Sequence, residues 1–180
     1  MANSEFGNEY PYHREVPRGD NFGICMFSKT PFSKIEIVEW GDDFLPSIDA
    51  YFNDSKAGDY RIIGTQPLPP MNSAGWNSRN TQLREIAQSI TENSAPTLVA
   101  GDFNSSPWSP FYKDFIKLGG LRDSALGFGI PPTWQAGNSP IFRLHLDHIC
   151  ISENIAVHDR SVGPDVGSDH RAVIIDFTIQ

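Results

Sequence analysis

Apolar and polar positions alternate along most of this chain at strand spacing, with two interruptions at helical spacing. Residues 23–28 form a short apolar run that reads as a buried strand, and residues 35–40 (IEIVEW) alternate as a half-exposed strand does. Residues 48–53 read as a weaker strand and 54–59 as a turn. Residues 60–66 read as a further strand, stopped by Pro67, Pro69 and Pro70. Leu83, Ile86, Ala87 and Ile90 stand at i, i+3, i+4 and i+7 and predict an amphipathic helix capped by Asn77 or Ser78. Residues 96–100 read as a buried strand running into Gly101-Asp102-Phe103-Asn104. Residues 111–118 predict a short helix closed by Gly119-Gly120. Residues 127–140 read as loop, with Thr133-Trp134 inside it. Residues 146–152, 155–162 and 172–179 read as strands. Residues 1–9 lack periodicity, and Ser4-Glu5-Phe6 has the look of a cloning scar. Residues 1–9 are therefore expected to be a disordered or vector-derived start, followed by a polar, turn-rich stretch over 10–20. The whole predicts one mixed α/β domain over residues 10–180, with a layered sheet core.

Composition narrows this picture. Of 180 residues, 39% are hydrophobic and 20% charged, enough apolar material for one domain with a real core and too much for a disordered chain. No apolar run approaches the ~20 residues of a membrane span. No basic-then-apolar leader is visible, which favours the cytoplasm, with location left open because a natural start is expected to be missing. The formal charge of −8 argues against a protein that grips nucleic acid by bulk charge, though not against an enzyme that meets a few phosphates through a metal ion. Cys25 and Cys150 sit in apolar runs and read as buried free thiols.

The candidate chemistry lies in three segments, each with an acid or imidazole at the end of an apolar strand. These are Gly101-Asp102-Phe103-Asn104, Leu146-Asp147-His148-Ile149, and Gly167-Ser168-Asp169-His170 before RAVIID. Strand ends aim polar groups into a shared cleft. Two Asp and an Asn supply hard oxygens suited to Mg²⁺ or Mn²⁺. An Asp beside a His supplies a pair that orients and charges the ring. Taken singly, each segment also has a plain reading: an Asx turn for Asp102 and Asn104, a cap or ion-pair role for Asp147, surface polarity for Asp169 and His170. No G-x-S-x-G elbow, P-loop or HExxH pattern is present, which disfavours serine-hydrolase, nucleotide-binding and zincin chemistry.

GDFN, then LDHI, then SDHRAVI, in that order, resembles the endonuclease/exonuclease/phosphatase superfamily, which includes deoxyribonuclease, apurinic-site endonucleases, sphingomyelinases and inositol polyphosphate phosphatases. GICMFSKTPF, the Arg79…Gln82-Leu83 helix start and Thr133-Trp134 fit as well, and the resemblance runs from about Tyr10 onward. It implies a four-layer α/β/β/α sandwich with the active site at one edge between two sheets, truncated here at the N-terminus of one sheet. It also implies a phosphoesterase using Mg²⁺ or Mn²⁺, with a phosphodiester substrate: nucleic acid, a phospholipid head group or a small molecule. By motif, Asp102 and Asn104 match the pair that activates water and contacts phosphate, and they offer metal ligands. Asp169 matches a metal-linked carboxylate, His170 the histidine on the scissile phosphate, and Asp147 its orienting partner. Either Asp102 or His170 is the base.

Two departures stand out. The family's opening strands, one ending in Asn and one bearing a metal-ligating Glu, precede the Tyr-Pro-Tyr region where this chain begins, and Glu5, Glu9 and Glu15 follow no apolar strand. The metal site is therefore expected to be incomplete, and a chain short of those strands is expected to pair with a second copy. Gln66 stands where related sequences carry a phosphate-contacting His, so it is expected to bind substrate without carrying a proton. A catalytically impaired fragment of a larger enzyme, or a binding module of the same family, is the alternative reading. Trp108 either lines the substrate cleft or wedges the core, and Arg79 either meets a phosphate or sits on the surface. Arg143, His145, His13 and His158 read as surface, and Trp40 and Trp76 as core or rim.

Overall fold

The computed structural model describes residues 4–137 and 141–180. In chain order the elements are helix α1 (Ser4–Glu9), strands β1 (Tyr12–Val16), β2 (Ile24–Ser28), β3 (Phe32–Val38), β4 (Ser47–Asp54) and β5 (Gly58–Gly64), helix α2 (Ser73–Thr91), strand β6 (Thr97–Asp102), helix α3 (Pro110–Leu118), and strands β7 (Leu121–Asp123), β8 (Trp134–Gln135), β9 (Arg143–Leu144), β10 (Asp147–Ser152), β11 (Ile155–Val162) and β12 (Val173–Ile179). Six strands form one sheet in the order β3-β4-β5-β6-β10-β7. Its one parallel pair, β5–β6, needs a crossover, and α2 supplies it.

Alternation sorts the sheet residues onto two faces. Ile63, Val99 and Cys150 point to the helix side and pack with Leu83, Ile86, Ala87 and Ile90 of α2 and Tyr112 and Phe115 of α3. Ile48, Ala50, Phe52, Ile62, Leu98 and Ile151 point to the other side. There they meet Ile24 and Met26 of ribbon β1–β2 and Ile175 and Phe177 of ribbon β11–β12. The two ribbons are not hydrogen-bonded to one another.

A buried ion pair between β4 and β5 also ties the sheet to α2. Arg61 of β5 donates to both oxygens of Asp49 on β4, at 2.7 and 2.8 Å, and also to the carbonyl and hydroxyl of Ser89 on α2, at 3.0 and 3.1 Å.

Several elements differ from the sequence expectation. Helix α2 begins at Ser73, not near 78, because Asn72 is the cap; its side-chain oxygen accepts from the Gly75 amide at 2.9 Å. The early turns bury Ser78, Arg79, Asn80 and Gln82, so polar residues hide the helical stripe there. A short helix occupies Ser4–Glu9, and β1 occupies the stretch read as turn. Strand β1 has three exposed positions and is held by pairing to β2, which leaves no apolar alternation to read. The short strands β7, β8 and β9 carry no periodicity at all. Cys25 and Cys150 are both free thiols, but Cys25 is exposed, because alternation turns it away from the face on which its half-buried neighbours Ile24 and Met26 pack. Residues 138–140 of the expected loop lie outside the described residues.

Gly101 ends the close approach of β6 to the chain after β5. Its φ is +151°, and a Cβ there would meet the Thr65 carbonyl oxygen at 1.8 Å. Gly101→Ala is expected to destabilise by about 3 kcal/mol or more, the scale of a severe overpacking clash. A urea midpoint within error of the wild type would refute it.

Candidate active site

Strands β6 and β10 are antiparallel neighbours, and their register sets Asp102 directly opposite Asp147 on the ribbon side of the sheet. His170, just before β12, reaches over them. Its Nδ1 lies 2.9 and 3.1 Å from the two Asp147 oxygens, and its Nε2 lies 3.8 Å from Asp102. Ligand atoms of Asp102, Asp147 and His170 fall within 4.8 Å of one another. The three share a cavity of about 450 Å³ with Gln66 and with Ile24, Cys25 and Met26 of β2. The carboxylate–imidazole pair is thus Asp147 with His170. It is not Asp147 with the adjacent His148, because consecutive strand residues face opposite ways.

The backbone around the cluster is tightly held. Thr133, buried, accepts from the amides of both Leu146 and Asp147, at 3.1 and 3.0 Å, and fixes the start of β10. Residues 133–135 pair with 169–171, where Gln135 donates to the Asp169 carbonyl at 3.0 Å and Arg171 to the Thr133 carbonyl at 2.7 Å. Asn104 sits at φ +47°, a left-handed conformation uncommon for any residue but Gly. Its amide donates to Asp102 at 2.8 Å, its side-chain nitrogen to the Pro67 carbonyl at 2.9 Å, and its own carbonyl accepts from Arg79 at 2.7 Å.

These surroundings tune the acids and the ring. Burial pushes the Asp102 carboxyl up to about 6, and Asp147 beside it adds to the rise; the Asn104 amide and His170 offset it only in part. The hydrogen bond to Asp147 raises His170, against its burial, with further help from the negative charge of Asp147 and Asp102. The site therefore pairs a carboxyl that titrates near neutrality with a ring disposed to hold its proton.

Of the other expected site residues, Asp169, Arg79 and Trp108 stand apart from this group. Asp169 accepts from the Trp134 indole at 3.2 Å and lines a different cavity with Arg143 and Arg171. Arg79 is 4% exposed and lies on neither the surface nor this cavity; its guanidinium holds Asn80 and the Asn104 carbonyl. The turn after Asp102 needs a donor for that carbonyl, and α2 delivers one from behind. Trp108 is 63% exposed and fills neither the cavity nor the core. His145, read as surface, is 2% exposed, with Nδ1 2.6 Å from the Pro131 carbonyl. His13 and His158 are exposed and Trp76 lies on the rim against Phe111. Gln66 lines the cavity beside the cluster.

Fold and cluster together define a class: mixed α/β proteins with a central six-stranded sheet, whose strand ends converge an Asp–His pair and a second carboxylate. The chain belongs to the endonuclease/exonuclease/phosphatase family, whose model matches residues 2–170. No curated protein sequence matches it. Among solved structures it is similar to the human Nocturnin catalytic domain with bound sulfate, at 20% identity and TM-score 0.75, covering 96% of this chain and 73% of that one. It is also similar to the 3′ phosphatase NExo from Neisseria bound to a product DNA hairpin, at 16% identity and TM-score 0.78, covering 98% and 83%. A family protein from Beutenbergia cavernae aligns at 20% identity and TM-score 0.68, covering 87% of this chain and 47% of that one. Among the described residues no helix is long and apolar enough to cross a membrane.

Proposed function

We propose that the protein hydrolyses phosphoester bonds, with a divalent cation, by in-line attack of water at the Asp102–Asp147–His170 cluster. The observation that carries this reading is the short gap between His170 Nε2 and Asp102, with the ring fixed from behind by Asp147. In that gap, Asp102 is placed to take a proton from water. His170 keeps its Nε2–H aimed at the phosphate oxygens, where a positive ring meets developing negative charge. Asp147 holds that ring by Nδ1. Asn104 braces the turn behind Asp102 through its amide, and Gln66, on the cavity wall, offers an amide donor to a substrate oxygen.

The donor set suits a hard cation. Asp102 and Asp147 lie together, with the burial of Asp102 and the repulsion it meets from Asp147 only partly offset, and a cation held by these two carboxylates would complete that balance. Mg²⁺ or Mn²⁺ there supplies charge neutralisation at the phosphate. Asp169, bonded to Trp134, would act on such an ion only from outside this group. The DNA hairpin bound by the Neisseria 3′ phosphatase supports a nucleic-acid phosphoester as one substrate class to test.

Hydrolysis of a chromogenic phosphodiester and of plasmid DNA is expected to need Mg²⁺ or Mn²⁺, to stop in EDTA, and to fall about 10²–10⁴-fold in His170→Ala. Turnover equal in wild type and His170→Ala would overturn the assignment.

A further inference from the structure

The strands that carry the proposed active site present a second His–Asp pair on their other face, where the proposed reaction has no use for it. His148 follows Asp147 on β10 and points to the helix side, where it is 1% exposed. Its Nε2 lies 2.8 Å from the Ser105 carbonyl and its Nδ1 3.2 Å from Asp123. We propose that His148 is a positioning residue: its ring fixes the Ser105 carbonyl, and through it the turn that directly follows Asp102, whose carboxylate lines the cavity. This rests on the hydrolase reading of that site.

The ring itself has almost no freedom. The Tyr112 hydroxyl donates to the same Asp123 oxygen that His148 meets, and the Ala125 amide donates to the other at 2.8 Å. Burial alone would push the Asp123 carboxyl up, but the bonds from His148 and Tyr112 outweigh it and hold it at about 2, so it stays a carboxylate anchor. The faces and edge of the ring pack on Tyr112, Phe103 and His145, with centroids 4.4, 5.3 and 4.7 Å away.

The turn needs such a support. Asn104 is left-handed and holds that conformation only where its surroundings over-determine it. Two successive carbonyls are pinned from different elements: Asn104 by Arg79 of α2, and Ser105 by His148 of β10. Removing the second pin leaves a buried acceptor unpaired and the turn held from one side.

The test compares wild type, His148→Phe and His148→Gln. Phe keeps an aromatic body without a donor, and Gln keeps an amide donor at similar reach. Hydrogen exchange at residues 103–106, kcat and KM on the chromogenic phosphodiester, and Tm are measured for each. The expected result for His148→Phe is at least tenfold faster exchange in the turn. Its kcat falls about 10–100-fold, the cost of a small misplacement of reacting groups, with KM within about twofold. His148→Gln is expected to restore most of both. Turn exchange as slow in His148→Phe as in wild type would overturn the proposal, as would kcat losses that follow Tm alone and are not rescued by Gln. If wild type turns over no phosphoester, the hydrolase reading fails, and the exchange comparison still decides the positioning role.

Discussion

Asp102→Asn is expected to cut turnover about 10²–10⁴-fold while raising the stability of the fold near neutral pH. The first half follows from the proposed role of Asp102 as the base. The second follows from linkage. The Asp102 carboxyl titrates at about 6 in the folded chain against an ordinary 3.8, so between those values the folded state binds the proton more readily than the unfolded one. Stability is therefore fully present below the unfolded value and is lost as pH rises through 6. The loss is on the order of 2–3 kcal/mol once the carboxylate is formed. A neutral amide escapes it and still offers an oxygen to the Asn104 amide. With EDTA present, Asp102→Asn is expected to melt several degrees above wild type at pH 7.5 and level with it at pH 4. A gain of the same size at both pH values would show that packing, not ionisation, separates the two proteins. Added Mg²⁺ is expected to narrow the gap at pH 7.5, since a bound cation relieves the same strain in the wild type.

Arg61→Ala is expected to cost about 3–5 kcal/mol, the largest stability loss from one polar substitution in this fold. The change strands Asp49 in the sheet–helix interface and frees the Ser89 carbonyl at once. Denaturant unfolding measures it directly. The double substitution Asp49→Leu/Arg61→Met is expected to recover most of the loss, because the cost comes from leaving one charge buried and alone, not from the worth of the pair. A double variant as unstable as Arg61→Ala would mean that the interface needs those polar contacts for its shape.

The sequence exposes some of this and hides the rest for definite reasons. The long strands and α3 are legible because each keeps one face apolar. The first turns of α2 are not, since Ser78, Arg79, Asn80 and Gln82 are buried through hydrogen bonds that no hydropathy pattern records. Asp102, Asp147 and His170 are legible as chemistry because each stands at a strand end in an ordered trio of motifs. Which imidazole meets Asp147 is not readable from adjacency, because the true partner comes from 23 positions away. Arg79 and His145 look like surface residues by type, and only the turns they brace explain their burial. The sequence distinguishes Asp169 from its neighbours even less: it shares a motif with His170, yet alternation sends its side chain to Trp134.

The alternation of β10 also limits how this protein can change its length. Asp147 and His148 are consecutive, and the pleat sends one to the ribbon side and the other to the helix side. A single-residue insertion or deletion within the strand would exchange them, placing an imidazole among the acids and a carboxylate against Tyr112 and Phe103. Substitution can vary this strand one side at a time, but a frame slip of one residue alters both sides together. Length variation is thereby driven out of β10 and into exposed turns such as residues 126–130, where an added residue shifts no pleat.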